Sequence, residues 1–140
     1  MLDLPINNIS HLIPQKPPFE MVDALLGYSE TSVISSLTIK EDDVFVVEGR
    51  FTEEGLVENM AQSVALHTGY SCFLEGKEAP VGYIGSIKSI HVFQLPRSGE
   101  TITSHVTILH EFMGVTMVEV LVKLGDTTLA TSEMKTVIAK

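Results

Sequence analysis

GLVENMAQSVALHTG, Gly55 to Gly69, decides how this chain folds. The stretch lacks proline, is rich in Leu, Met and Ala, and is bounded by two glycines, so it predicts one helix of about four turns. Leu56, Met60, Val64 and His67 fall on one face of such a helix. Ala61, Ala65 and Gly69 make a stripe of small residues along which another element can approach the backbone closely. Apolar positions on nearly every side predict a helix buried almost all round. Glu58, Asn59 and Gln62 are its polar exceptions, and Glu58 and Gln62 stand one turn apart on the same side. That sets an acid beside an amide near a helix N-terminus, where a carboxylate either serves a function or costs stability.

Upstream, Ile6 to Leu12 predicts a short opening helix, stopped by Pro14, Pro17 and Pro18, because proline lacks a backbone donor and restrains the residue before it. Phe19 to Tyr28 and Ser32 to Ile39 predict a strand pair turned at Ser29-Glu30-Thr31. Glu41 to Glu54 is acidic and irregular. Beyond Gly76 to Pro80 the chain reads entirely as strand. Val81 to Leu95 is a long extended segment, Pro96-Arg97-Ser98-Gly99 a turn, and Thr101 to Phe112 a strand with Ile102, Val106 and Ile108 on one face. After Gly114, Val118, Val120, Val122 and Leu124 alternate with Glu119, Leu121 and Lys123, and Gly125-Asp126 predicts a two-residue hairpin before Thr127 to Ala139. The order implies one α+β domain over residues 1–140, an antiparallel sheet of about five to six strands curled around one long central helix. Two long edge strands would remain, which favours self-association.

The chain of 140 residues suits a single domain. Nine basic against eighteen acidic residues give a net charge of -9, with the basic ones scattered, which argues against nucleic acid. No segment approaches the ~20 apolar residues of a membrane span. The opening MLDLPINNIS has neither a basic nor an apolar leader region, and Cys72 has no second cysteine to pair with, so a cytoplasmic protein is expected.

Two local sequences and the order of elements resemble the hot-dog superfamily, and within it the 3-hydroxyacyl-acyl-carrier-protein dehydratases of fatty-acid and aryl-polyene type synthesis. Ile13 to Asp23, IPQKPPFEMVD, is similar to the family's opening Leu-Pro-His, spacer, Pro-Phe and Val-Asp. Glu58 to Gln62, ENMAQ, matches the Glu-x-Met-Ala-Gln box at the start of its central helix, and Val81 to Gly99 resembles the long strand and Pro-x-x-Gly turn that follow. Two departures stand beside these matches. Arg50 occupies the place of the histidine in the family's His-Phe-Pro-Gly segment, and Gln15 replaces the histidine of the opening segment.

The resemblance implies acyl thioester substrates, carried by acyl carrier protein or coenzyme A, in a homodimer or larger homo-oligomer or a heterodimer with a second hot-dog subunit. Elimination of water from a 3-hydroxyacyl thioester needs a base for the proton next to the carbonyl, an acid for the hydroxyl, and donors for the enolate-like oxygen. By matching position only Glu58 is carried over as the acid/base residue, with Gln62 either orienting it or satisfying a backbone group. Asn59 is a candidate substrate contact. Arg50 is a candidate for a phosphate of the phosphopantetheine or coenzyme A arm, with pairing to Glu48 or Glu53 as the simpler account. His67, about nine positions beyond Glu58, falls on the opposite side of the helix and is expected in the core or an interface. Cys72 is expected as a small core residue, and no spacing of ligands or glycines implies a metal or a cofactor. Dehydration is the favoured activity, thioester hydrolysis the alternative without a histidine, and a catalytically silent acyl-binding partner of an active homologue the non-enzymatic one.

Overall fold

Thr52 starts the central helix. Its backbone is extended and its hydroxyl accepts the Gly55 N–H at 3.2 Å, so helix α1 runs Glu53–Leu74, with Glu53 and Glu54 in the first turn complementing the helix dipole. Both glycines expected as boundaries are therefore internal, and each is required by space. A Cβ on Gly55 would stand 2.7 Å from the Phe51 ring, and one on Gly69 would stand 1.7 Å from the Leu12 carbonyl oxygen. Gly69 marks a crossing, as the small-residue stripe predicts, rather than an end. The helix stops five residues later, where the Glu75 N–H turns back to the Cys72 and Phe73 carbonyls.

The computed structural model describes residues 4–139; the first three residues of the MLDLPINNIS opening lie outside them. The strands are β1 (Ala24–Ser29), β2 (Ser32–Thr38), β3 (Val46–Val47), β4 (Arg50–Phe51), β5 (Gly82–Val92), β6 (Thr101–Phe112), β7 (Val115–Leu124) and β8 (Thr127–Ile138). Six of them form one antiparallel sheet in the order β1-β2-β6-β7-β8-β5, curled around α1 as expected. Alternation puts Val33, Leu37, Ile102, Val106, Val118, Val120, Val122 and Met134 on the helix-facing side, where they are buried with Leu56, Met60 and Val64 of α1.

Three expectations are corrected. Ile6 to Leu12 is not a helix: Ile6 exchanges two 2.9 Å hydrogen bonds with Leu25 at the outer edge of β1, and Leu12 closes a turn onto Ile9. A seven-residue helix has little intrinsic stability, whereas the extended path covers a strand edge and brings Leu12 against Gly69. The first strand begins at Ala24 rather than Phe19, because the backbone of Phe19 and Met21 is bonded to side chains of α1. The segment from 41 to 54 contains the small β3–β4 pair, turned at Glu48 and Gly49, both at positive φ, as a two-residue hairpin of this hand requires.

The wrapping is incomplete. Val57, Glu58, Ala61, Ala65 and Thr68 form a half-buried stripe along α1, so the helix is not buried all round. Ile6 covers part of the β1 edge, while β5 is the long unpaired edge, with Val81 55% and Tyr83 58% exposed. Placing a methyl at Gly69 would force α1 away from Leu12. Gly69→Ala is expected to cost about 3 kcal/mol in denaturant unfolding, against a few tenths for a substitution on an exposed helical position such as Glu54→Ala.

Candidate active site

Glu58 and Gln62 are one turn apart on α1, and the Gln62 Nε2 donates to the Glu58 carboxylate at 2.9 Å. The same nitrogen donates to the Phe19 carbonyl at 2.8 Å, and the Gln62 Oε1 accepts the Met21 N–H at 2.6 Å. Only oxygen can accept from that N–H, so the orientation of the amide is determined and its two hydrogens face Phe19 and Glu58. Gln62 is fully buried. It therefore does both things the sequence allowed: it holds a backbone segment and it points at the acid.

Asn59 supplies the second half of the clamp. Its Nδ2 donates to the Met21 carbonyl at 2.8 Å, and its Oδ1 accepts the Ser104 hydroxyl of β6 at 2.6 Å. Ser63 donates to the Asn59 carbonyl at 2.7 Å and lies 2.7 Å from the Ser35 hydroxyl of β2, so Ser35 donates to Ser63. Asn59 thus has both ends of its amide engaged by the fold, and its side chain faces the sheet, away from Glu58.

Glu58 itself is half-buried and borders an open hollow of about 310 Å³ with Phe45, Glu53, Glu54 and Val57. No histidine joins it. His67 is buried with its Nε2 2.8 Å from the Ser29 carbonyl and its ring stacked on Tyr28, His11 packs edge-on against Phe73, and His91, His105 and His110 lie on β5 and β6. Arg50 donates from Nη1 to the Leu95 carbonyl at 3.0 Å and pairs through its backbone with Arg97. Among the described residues the ion pairs are Lys77 with Glu75 and Lys88 with Glu133, so Arg50 is bound to neither Glu48 nor Glu53. Cys72 is only half-buried. Farther along the half-buried stripe, a cavity of about 40 Å³ lies between Ala61, Ala65 and Thr68 of α1 and the ends of β5 and β8, with Gln15 in its wall. The sequence reading treated Gln15 only as a lost histidine; the spacing of Ala61, Ala65 and Thr68 from Glu58 was the signal for the cavity. No helix of the described residues is long and apolar enough to cross a membrane.

Because Asn59 and Gln62 share Met21, their removal should be less than additive. Asn59→Ala and Gln62→Ala are each expected to cost about 2 to 3 kcal/mol in denaturant unfolding, and the double variant less than the sum. A separate group contributes to the response to acid. Burial, with the neighbouring Lys123 cation second, holds the His105 imidazole below its ordinary 6.5. The unfolded chain then binds the extra proton first, so this contribution to stability is present above the ordinary value and is lost as pH falls through the lowered one. NMR titration of the His105 ring should give a midpoint below 6.5, and His105→Gln should flatten the fall of stability in that window.

Comparison with known proteins places this geometry. Among solved structures, the dehydratase heterocomplex ApeI:P of Xenorhabdus doucetiae matches with a TM-score of 0.89 at 16% identity, over 99% of this chain and 93% of that one. An uncharacterised protein of Pyrococcus horikoshii matches at 0.70 and 12%, over 99% and 96% of the two chains. A Streptococcus mutans protein solved with acetyl CoA matches at 0.68 and 14%, over 91% and 95%. These likenesses establish the hot-dog fold. No curated protein matches in sequence. The family described as ApeP-like, ApeP dehydratase, matches residues 7–140, which takes in the opening segment, the helix with its Glu58–Gln62 pair and every strand; the chain belongs to the ApeP-like dehydratase family.

Proposed function

We propose that this chain is the Glu58-bearing subunit of a dehydratase acting on 3-hydroxyacyl thioesters, and that a second hot-dog subunit brings the base. The observation that carries this reading is an acid held in place by Gln62 while every histidine of the chain is located elsewhere. In the elimination, the base takes the proton on the carbon next to the thioester carbonyl, a carbon–carbon double bond forms, and the 3-hydroxyl leaves as water with a proton from Glu58. Glu58 is left as a carboxylate, and the proton on the base returns to it before the next turnover.

A partner also answers two features of the fold. A strand added to the open β5 edge would satisfy its unpaired backbone groups, and the body behind that strand would cover the half-buried stripe of α1. The Xenorhabdus dehydratase is itself a heterocomplex, which supports the same form of assembly here. The acyl group would lie along Ala61 and Ala65, its thioester carried by acyl carrier protein or coenzyme A, in the cytoplasm and in a chain-elongation pathway of fatty-acid type. A net charge of -9 opposes an acidic carrier except where cations such as Arg50, Lys88 and Arg97 gather at one entrance, which favours carrier docking on the partner.

The test is reconstitution. The chain should co-purify with a hot-dog subunit that retains its histidine, and the complex should convert 3-hydroxyacyl carrier protein to the trans-2-enoyl product while the isolated chain does not. Glu58→Gln in the complex should lower kcat by about 100-fold or more with unchanged Tm. Full activity of the Glu58→Gln complex would make this chain a silent partner, turnover by the isolated chain would remove the need for one, and release of free thiol instead of enoyl product would indicate hydrolysis.

A further inference from the structure

The chain has two arginines, and the fold brings them together. Arg50 of β4 and Arg97 form an antiparallel bridge, held by the Phe51 N–H on the Pro96 carbonyl and the Ser98 N–H on the Gly49 carbonyl, each at 2.9 Å. These bonds flank the two residues rather than join them. Arg50 and Arg97 are therefore a non-hydrogen-bonded pair, with Cα atoms about 4.5 Å apart and both side chains on one side. Val47, the neighbour of Arg50 on β3, is 60% exposed, so that side faces outward. Like charges set directly opposite are destabilising, and an anion between them removes the penalty. Among the described residues neither guanidinium has an ion pair: Arg50 gives a donor to the Leu95 carbonyl, and Glu100 accepts the Arg97 backbone N–H instead. Arg97 is exposed and follows the end of the open β5 strand by five residues.

Glu58 is the complementary group, an acid with no cation on it among the described residues. In the dehydratase reading a partner's base faces Glu58, and the resemblance places that base at the position Arg50 holds here. A second copy of this chain docked in the same way sets Arg50 against Glu58, and the two-fold axis relating like chains makes the contact twice. We infer that the chain alone forms a resting dimer in which the Arg50–Arg97 pair of each copy binds the Glu58 carboxylate of the other. This rests on the dehydratase reading of Glu58 and adds regulation of that site. A guanidinium takes a carboxylate through two parallel N–H groups, and Arg50, with one donor on Leu95, keeps the others for it. The covered carboxylate is closed to a substrate hydroxyl, and no base stands opposite it, so the dimer is silent. A histidine-bearing subunit that displaces one copy returns Glu58 to the reaction. The net charge of -9 on each copy opposes self-association at long range, which favours exchange of a copy for a less acidic partner.

Sedimentation equilibrium of the isolated full chain tests this. The wild type should be a dimer at micromolar concentration. Glu58→Gln and Arg50→Ser should each weaken the dimer by about tenfold or more, and the double variant should lose little beyond either single one, the mark of a direct contact. Arg97→Ser leaves the Arg50 bond to Leu95 in place and should weaken the dimer too, so the measurement stands even if Arg50→Ser does not fold. Arg50→His should give the isolated chain turnover of 3-hydroxyacyl carrier protein, lost again on adding Glu58→Gln. A monomer throughout, or a dimer indifferent to Glu58 and to both arginines, overturns the inference and leaves the heteromeric dehydratase reading intact. Arginine variants that lose coenzyme A binding while the dimer is unchanged assign the pair to a phosphate and overturn it as well. Full activity of Glu58→Gln in the heteromeric complex instead removes the dehydratase reading, whatever the homodimer shows.

Discussion

Met21 gives its N–H to Gln62 and its carbonyl to Asn59, both on the central helix. The rest of the structure hangs on this double bond. A segment following three prolines has no strand partner at this point, so its backbone groups must be satisfied by side chains or remain unpaired in the core. The two amides that satisfy them are three residues apart on α1, and each has a further duty: Asn59 engages Ser104 on β6, and Gln62 holds Glu58. Helix, sheet, N-terminal segment and acid are thereby linked through four polar side chains. A buried network of this kind is favourable only when each member is paired, and Gln62 extends it to the half-buried Glu58.

The apolar part of the fold leads to the opposite conclusion at its other face. The sheet curls around α1 from β1 to β8, but at β5 it stops with a free edge and with the helix stripe from Val57 to Thr68 half open. Tyr83 on β5, Val137 on β8, Val115 on β7 and Phe112 on β6 lie in one cross-strand row on the outer face, and Tyr83 and Phe112 are well exposed. A long edge with exposed apolar side chains at its end invites pairing with another chain. The cavity lies at the start of this edge, and Glu58 heads the same half-buried stripe of α1.

Periodicity made most of this legible in the sequence. Val118, Val120 and Val122 of β7 alternate as read, Ile102 and Val106 of β6 share the buried face, the Gly125-Asp126 hairpin follows from its two residues, and the i, i+4 spacing of Glu58 and Gln62 implied their contact. What failed was any feature decided between segments distant in sequence. Gly55 and Gly69 read as helix ends because glycine often terminates helices, yet here each yields room to another part of the chain, Phe51 in one case and the Leu12 carbonyl in the other. Ile6 to Leu12 has helix-compatible residues but lies where β1 needs a neighbour. Asn59, a candidate substrate contact in the sequence, follows Glu58 by one residue, a turn of about 100° along a helix, and its amide is bonded to Met21 and Ser104.

The two positions where the resemblance places histidine are filled by side chains with other surroundings. Arg50 is not a vacancy in the fold: its guanidinium donates to the Leu95 carbonyl, tying the turn before β6 to β4, the strand that precedes α1. Gln15 has likewise become wall, in contact with a cavity that Ala61 and Ala65 keep open. Glu58, in contrast, retains the amide that orients it, and Gln62 retains the backbone that orients Gln62. Glu58 held by Gln62, with other side chains at both histidine positions, is the arrangement that motivates the proposed reaction, in which a partner across the open β5 edge supplies the base.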